Sequence, residues 1–316
     1  MRHFRSLLLL GLLFAAFALP AVAQGYTVSF NQIVEHPALD AVRKGVQDAL
    51  ADEHLDVSYN VHIAQGNIST ANLIARQILG ENPDVIVPIA TPTAQACAQI
   101  TRDKPIVFAV VSDPVGAGLV KSFDHPGANI TGTSDMSPVD KQLELALKIV
   151  PGIQRIGVIY NSGESNSVAI VNVLKKDAAA RQMTVVEATV ANSAGVYPAA
   201  KSLVGKVDAI YIPTDNTVVS AFEAVTKVAT ESKIPLFAAD TDSVARGAIA
   251  ALAVDYYLIG KQTGRMVARI LRGAKPAEMP VETLDELLIH LNPKAAAGMG
   301  VTIPDAVLKQ ANKIVE

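Results

Sequence analysis

The stretch VIVPIATPTAQACAQI, residues 85–100, decides the fold class. Its first five residues are apolar and mostly β-branched, which predicts a short buried strand over 85–89. Thr91 and Pro92 are residues that commonly open helices, and the Ala-rich run after them predicts a helix over 92–102. A strand followed directly by a helix is the repeating unit of α/β proteins with parallel sheets.

The same alternation continues through both halves of the chain. In the first half it predicts strands over 26–32, 57–64, 85–89 and 106–111, with helices over 37–53, 69–80 and 92–102 between them. A loop rich in Gly and Pro over 113–137 and a helix over 138–150 lead to the second half, with strands over 156–160, 184–190, 209–213, 235–238 and 249–254. The helices of that half are predicted near 166–181, 194–204, 217–232 and 256–272. We therefore predict an α/β protein with two Rossmann-like lobes, each a parallel sheet flanked by helices.

Composition excludes several classes of protein. The 316 residues are 50% hydrophobic and 18% charged, which is sufficient for one or two hydrophobic cores and excludes disorder as the main state. The 27 Lys and Arg against 30 Asp and Glu leave no excess of basic charge, so we do not expect a nucleic-acid partner. Cys97 is the single cysteine, and the six His show no metal-ligand spacing. We expect neither a cofactor nor a metal.

The first residues have the pattern of an export signal. Arg2 and Arg5 precede an apolar run over 7–19, and small residues follow over 21–23. The apolar run is shorter than the roughly 20 residues that cross a bilayer, which favours a cleavable signal peptide over 1–23 rather than a membrane anchor. No Cys follows the run to accept a lipid, so we expect a soluble protein in the periplasm.

Short polar side chains follow most of the predicted strands. Open α/β sheets bind ligands at the carboxyl ends of their strands, so these residues are the candidate ligand contacts. In the first half they are Gln32, Glu35, Thr91, Thr93, Ser112 and Asp113. In the second half they are Asn161, Glu164, Asn166, Asp215, Asn216 and Asp240.

The two halves differ in the charge that they offer a ligand. The hydroxyls of Thr91 and Thr93 stand beside the free N–H groups of a helix start, which suits a carboxylate. Asp215 or Asp240 in the second half suits an ammonium group. N-capping of a helix is the alternative role for Thr91 and for one of the two aspartates. A zwitterion held from both sides would bridge the halves and give a reason for closure.

An enzymatic function has little support in the sequence. It contains no G-x-S-x-G, no Walker lysine motif and no G-x-G-x-x-G. Cys97 lies in the Ala-rich helix, where burial would make it inert. His36 beside Glu35 is a candidate acid–base pair, but a capping or ligand-gating role is favoured. We predict no catalytic residue.

Six blocks in order and spacing carry a family resemblance. They are QIVEHPALD (32–40), ATPTAQ (90–95), SDPVGAGLV (112–120), YNSGESNS (160–167), PTDNT (213–217) and DYYLIG (255–260). The sequence resembles the substrate-binding proteins of ABC transporters with the type I periplasmic-binding fold. Within that fold it is most similar to the group with tryptophan- and phenylalanine-binding members, over essentially the whole chain after residue 23.

The resemblance implies two lobes joined by three crossovers, with lobe 1 over 24–137 and 256–280 and lobe 2 over 138–255 and 281–316. It also implies ligand capture by hinge closure and delivery to a membrane permease driven by a separate ATPase. The binding protein itself is expected to be a monomer.

The expected ligand is an amino acid, with an aromatic one as an option. A sugar, a nucleoside or another small polar compound stays an alternative, as does a sensory role for the same fold. The sequence lacks Trp and has few aromatic residues at strand ends, which is unlike a sugar-binding protein. Four aromatic residues are candidates for the wall of a side-chain pocket or for the core: Phe30, Tyr160, Tyr256 and Tyr257.

Overall fold

The computed structural model describes residues 25–315. The predicted signal peptide over 1–23 lies outside the described residues. Within 25–315, no helix combines the length and the apolar character needed to span a membrane.

The chain alternates strands and helices as its hydrophobic pattern predicts. The first half contains β1 (Tyr26–Gln32), α1 (Pro37–Asp52), β2 (Val57–Ile63), α2 (Ile68–Glu81), β3 (Val85–Ile89), α3 (Thr91–Ile100), β4 (Ile106–Phe108) and β5 (Ile130–Ser134). The second half contains α4 (Val139–Ile149), β6 (Arg155–Asn161), α5 (Ser165–Ala180), β7 (Thr184–Val190), α6 (Val196–Leu203), β8 (Ala209–Ile212), α7 (Asn216–Ser220), α8 (Phe222–Ser232), β9 (Leu236–Ala238), α9 (Asp242–Ala245) and β10 (Ala250–Ala253). The C-terminal part contains α10 (Tyr256–Leu271), β11 (Glu282–Thr283), β12 (Leu288–Leu291), α11 (Pro293–Gly298), α12 (Asp305–Leu308) and β13 (Lys313–Ile314).

The strands form two sheets with the same central order. The first sheet runs β11-β5-β4-β3-β1-β2, and all of its pairs are parallel. The second sheet runs β13-β12-β10-β9-β8-β6-β7, and only the pairing of β10 with β12 is antiparallel. The order β2-β1-β3-β4-β5 in one lobe therefore matches β7-β6-β8-β9-β10 in the other. The predicted fold class, two doubly wound α/β lobes, is confirmed.

The chain passes between the two sheets three times, over 135–138, 254–255 and 284–287. The predicted lobe boundaries stay a prediction. The strands of the first sheet depart from the predicted boundary of lobe 1 at one place. β11 pairs with β5, so the first sheet extends to Thr283 rather than ending before residue 281. With the crossovers left out, the first lobe comprises 25–134 and 256–283, and the second lobe comprises 139–253 and 288–315.

Each lobe has its own hydrophobic core. Every residue of β3 and of β8 is buried, because helices cover both faces of each sheet. This explains why β3 and β8 read as continuous apolar runs rather than as alternating patterns.

Helices α1 and α10 pack with their backbones in contact. A Cβ atom on Gly260 would lie 2.2 Å from the carbonyl oxygen of Val42, and one on Gly45 would lie 2.3 Å from that of Tyr257. Only glycine allows this approach. The contact holds the first residues of the two helices in a fixed relation, and both helix starts face the space between the lobes.

The strand β5 lies inside the segment 113–137 that was predicted to be a loop, and that prediction is wrong for this part. Its buried hydroxyls have specific partners, since Thr131 donates to the carbonyl of Met279 at 2.8 Å and Thr133 lies 2.8 Å from the hydroxyl of Thr263. A strand of Thr, Gly and Ser has little hydrophobic signal, so only its neighbours reveal it.

Candidate ligand-binding site

A cavity lies between the two lobes at the carboxyl ends of their strands. The first lobe lines it with His36, Ala38, Leu39, Ala90, Thr91, Val110, Ser112 and Tyr256. The second lobe lines it with Asn166, Thr214, Asp215, Asn216, Val219 and Asp240. Asp135 comes from the first crossover. Apart from that crossover residue, the two lobes supply the wall in comparable shares.

Within residues 25–315, only the three crossovers join the lobes by direct bonds. Among residues 25–315, no hydrogen bond or ion pair joins a residue of the first lobe to one of the second. The polar groups that face the cavity from opposite sides are thus available to a third molecule.

Thr91 begins α3 with a hydroxyl that has no partner. Its Oγ1 atom is buried and makes no hydrogen bond among the described residues. The first N–H groups of a helix have no acceptor within the helix, and Pro92 removes one of them. The first-lobe wall therefore presents a free hydroxyl together with the positive end of a helix dipole.

Two cavity residues of the first lobe have a strained backbone. Ala90 has a φ of 82° and Val110 a φ of 51°. A positive φ is a clear outlier for a β-branched residue such as Val110. Ala90 directly follows β3, and Val110 lies two residues after the neighbouring strand β4. Strain of this kind persists where the surrounding structure dictates it, often at binding sites.

Asp135 is a cavity residue that the sequence reasoning missed. Its carboxylate accepts hydrogen bonds from the hydroxyl of Ser112 at 2.9 Å and from that of Tyr256 at 3.1 Å. Burial raises the pKa of Asp135 above its ordinary value, against the effect of these two donors. It lies directly after β5, so recognising that strand would have placed it at a strand end.

Asp215 is the N-cap of α7 and has three donors of its own. It accepts from the amide of Val218 at 2.7 Å, the amide of Asn161 at 2.6 Å and the hydroxyl of Ser167 at 2.7 Å. Burial and then the nearby charge of Glu164 raise the pKa of Asp215 above its ordinary value. Much of its acceptor capacity is used within the lobe.

Asp240 has fewer internal partners. It accepts from the amide of Ser243 at 2.8 Å and from the hydroxyl of the same residue at 2.7 Å. Burial is the main cause that raises its pKa. Within 25–315, no Lys or Arg forms an ion pair with Asp135, Asp215 or Asp240. Buried carboxylates of this kind call for a cation or a proton.

Two further polar atoms of the second lobe are buried without partners. The Nδ2 atom of Asn166 donates to the carbonyl of Thr214 at 2.9 Å, which leaves its Oδ1 atom as a free acceptor. The Oγ1 atom of Thr214 is also unpaired. Together with Thr91, three cavity residues carry buried polar atoms that find no partner in the described part of the chain. Buried polar atoms are ordinarily paired, so these atoms mark where a polar ligand would bind.

Glu164 lies behind the cavity wall. Its carboxylate accepts the amides of Asn216 at 3.2 Å and Thr217 at 3.1 Å, and the hydroxyl of Thr217 at 2.8 Å. These bonds satisfy the start of α7 and hold Asn216 at the cavity. Glu164 therefore orients a wall residue.

The structure divides the candidate contacts from the sequence into two groups. Six of them line the cavity: Thr91, Ser112, Asn166, Asp215, Asn216 and Asp240. Six do not: Gln32, Glu35, Thr93, Asp113, Asn161 and Glu164. Residues of both groups come after a strand, so this position in the sequence does not tell which of them reach the cavity.

The residues outside the cavity have local partners. Gln32 donates to Asp40 at 2.9 Å, Thr93 donates to the carbonyl of Ile89 at 2.7 Å, and Asp113 accepts the amide of Gly116 at 2.8 Å. Asn161 donates to the hydroxyl of Thr217 at 2.9 Å. Glu35 is exposed.

His36 has the capping role that was favoured for it. As the N-cap of α1, it accepts the amide of Leu39 at its Nδ1 atom over 3.5 Å. Burial, and then the positive charge of Arg246, lower the pKa of His36 to about 3. The imidazole is therefore neutral at physiological pH.

The sequence matches the family of ABC transporter substrate binding proteins over residues 27–315. The chain belongs to this family. A curated relative of this family member, the tyrosine-binding protein of Clostridioides difficile, is 42% identical over 269 residues, which cover 84% of this chain and 78% of that protein.

Solved structures of relatives also resemble this substrate-binding protein. The ABC domain of Streptococcus pneumonia in complex with L-Trp is 36% identical and covers 92% of this chain and 100% of its own, with a TM-score of 0.90. The ligand-free, open structure of a substrate-binding protein with adhesive properties from Clostridium difficile is 39% identical and covers 92% and 99%, with a TM-score of 0.69. A glucose-galactose binding protein of Geobacillus stearothermophilus is 17% identical, with a TM-score of 0.62 over 84% and 97%, and shares the fold alone.

The neutral state of His36 has a consequence for stability against pH. In the unfolded chain a histidine takes up a proton near pH 6.5, whereas the folded protein keeps His36 neutral down to about pH 3. The stability that depends on this residue is complete above pH 6.5 and is lost as the pH falls toward 3. We expect the unfolding free energy of the wild type, relative to His36→Asn, to fall by about 2–3 kcal/mol between pH 7 and pH 4.5.

Urea unfolding of both proteins at the two pH values measures this difference. Asparagine is a good N-cap residue, so the substitution keeps an acceptor for the amide of Leu39. The variant His125→Asn, at an exposed loop position, is the matched control and should show no such change. A constant difference between the wild type and His36→Asn would contradict a buried neutral imidazole.

Proposed function

We propose that this protein captures an aromatic L-amino acid between its two lobes in the periplasm and delivers it to the permease of an ABC importer. One observation carries the proposal. Unpaired polar atoms and buried carboxylates face the same cavity, with the free hydroxyl of Thr91 and a helix start on the first lobe and the carboxylates of Asp215 and Asp240 on the second. A zwitterion has complementary charges for both sides.

The ligand carboxylate is proposed to bind at the start of α3. Thr91 supplies a free hydroxyl there, and the first-turn amides supply donors and the positive end of the helix dipole. No acidic side chain of α3 opposes an anion at this position, since its first turn contains none.

The ligand ammonium is proposed to bind Asp240 with the help of Asn166. Asp240 has two internal donors where Asp215 has three, so it keeps more acceptor capacity for a ligand. The unpaired Oδ1 atom of Asn166 is a second acceptor. Asp135 is the other candidate, because both of its donors are neutral hydroxyls.

An aromatic side chain suits the remaining wall. Ala38, Leu39 and Val219 give the cavity an apolar part, and His36 and Tyr256 add two rings. The relatives named for tyrosine binding and solved with L-Trp support this assignment.

Closure is proposed to depend on the ligand. In the described part of the chain the lobes share no hydrogen bond or ion pair across the cavity, so a ligand that bonds to both lobes supplies the energy that favours the closed arrangement. The higher TM-score with the L-Trp complex than with the open relative, 0.90 against 0.69, supports a closed arrangement in this structure.

The cellular setting follows from the proposed role. The residues over 1–23 are proposed to direct export to the periplasm, where the monomer would meet a membrane permease with its ATPase. Binding and release require no chemical step, and we assign no catalytic residue.

Thermal shift provides the direct test of this function. A ligand that binds only the folded state raises the melting temperature as its concentration increases. We expect L-Tyr, L-Trp or L-Phe to raise Tm by several degrees at millimolar concentration, and L-Ala, glucose and adenosine to have no comparable effect. If a sugar or a nucleoside stabilises the protein and no amino acid does, the zwitterion assignment is wrong.

Thr91→Val should weaken ligand binding while leaving the fold intact. The substitution preserves side-chain shape and removes a hydroxyl that has no partner among residues 25–315. We expect a loss of roughly 1 kcal/mol or more in binding free energy by calorimetry, with an unchanged unfolding free energy.

Thr93→Val is the matched control for Thr91→Val. The hydroxyl of Thr93 donates to two backbone carbonyls and does not line the cavity, so its loss should lower stability rather than affinity. Equal losses of affinity in both variants would contradict the role proposed for Thr91.

Asp240→Asn should weaken amino-acid binding by about 2–5 kcal/mol, because the ligand ammonium would lose a buried counter-charge. The amide can still cap Ser243, since the serine hydroxyl is able to accept as well as donate.

Asp215→Asn is the comparison. Its new NH₂ group would face the amide of Asn161, so we expect a loss of folding stability there. Calorimetry and urea unfolding of both variants separate the two effects. Unchanged affinity in Asp240→Asn, with a loss in Asp135→Asn, would move the ammonium to Asp135.

A further inference from the structure

His36 lines the cavity together with apolar residues. Its neighbours in the sequence that also line the cavity are Ala38 and Leu39, and the second lobe contributes Val219. The acceptors proposed for the ligand ammonium belong to other elements. A polar atom among apolar side chains in a binding site restricts which ligand groups can lie beside it.

The hydrogen-bond state of His36 follows from its capping bond. Nδ1 accepts the amide of Leu39, so it carries a lone pair rather than a proton. The neutral ring then has its proton on Nε2. The lowered pKa of His36 agrees with a ring that stays neutral in this environment.

The Nε2–H group has no partner among residues 25–315. No hydrogen bond to a described residue involves this atom. The buried polar atoms without partners do not include it, so Nε2 keeps some exposed surface. Arg246, the charged group that acts on His36, offers no acceptor. Its guanidinium donates to Glu223 and to the carbonyl of Val219 at 2.8 Å.

We propose that His36 selects the ligand by its ring substituent, with Nε2–H donating a hydrogen bond to the phenolic oxygen of a bound tyrosine. This inference rests on the proposed function, since it concerns the side chain of an aromatic amino acid held in the same cavity. It names tyrosine as the preferred ligand and His36 as the residue that determines the preference.

The other aromatic amino acids cannot satisfy this donor. Phenylalanine has no acceptor on its ring, so its binding would leave Nε2–H buried and unpaired. Tryptophan carries an indole N–H, which is a donor only. A site with a buried donor discriminates strongly against ligands that leave it unpaired. We expect tyrosine to bind roughly tenfold or more tightly than phenylalanine.

Calorimetry with L-Tyr, L-Phe and L-Trp on the exported form of the protein tests the inference. The wild type should bind L-Tyr most tightly. In His36→Asn the capping acceptor remains but the ring donor is lost, so the ratio of the Kd for L-Phe to that for L-Tyr should fall toward one. The control His125→Asn, at an exposed position, should keep the wild-type ratio.

A ligand series on the wild type provides a test that needs no variant. 4-Fluoro-L-phenylalanine has nearly the size of tyrosine with a much weaker acceptor, so its affinity should lie near that of L-Phe. Affinity close to that of L-Tyr would show that size rather than hydrogen bonding decides.

The outcomes separate this inference from the proposed function. If no aromatic amino acid binds, the proposed function fails. If they bind with equal affinities, or if the preference for L-Tyr persists in His36→Asn, the function stands and the selection by His36 is wrong.

Discussion

Parallel strand pairing is the constraint on which the rest of this structure depends. Each parallel pair needs a crossover, and the right-handed crossovers place helices on both faces of the sheet and bring the carboxyl ends of the strands to one edge. The two lobes use the same central strand order and face each other with these edges. The apolar strands, the helix starts at the cavity and the concentration of polar residues there all follow from this arrangement.

Placing polar groups at that edge has an electrostatic consequence. Asp135, Asp215 and Asp240 are buried, and their donors are amides and hydroxyls rather than cations. The helix starts and hydroxyls reduce the cost of burying these charges but leave the cavity with an excess of negative charge. The first-lobe wall adds the hydroxyl of Thr91, which has no partner among residues 25–315. A ligand with both charges can satisfy both walls, and the absence of bonds between the lobes within 25–315 leaves the bridging to it.

The order and type of most elements could be predicted from the sequence, because a strand buried on both faces must be apolar and a helix start needs a cap. β5 could not, since its Thr side chains are buried through hydrogen bonds to α10 and to the carbonyl of Met279. The same omission concealed Asp135. The short C-terminal strands β11, β12 and β13 were also absent from the prediction, because each depends on pairing with another strand.

The sequence by itself determined the two-lobed α/β architecture, since local hydrophobic pattern and capping chemistry encode it directly. The family followed from the resemblance of six sequence blocks, and the strand ends supplied the candidate polar residues. Only the tertiary structure decided which polar residues reach the cavity. Thr91 and Thr93 are two positions apart and chemically identical, yet one hydroxyl is free and the other bonds to its own helix start. The physical reason is that the direction of a side chain and its hydrogen-bond partners depend on contacts between elements distant in the sequence. His36 gains its neutral imidazole and free donor from such contacts as well.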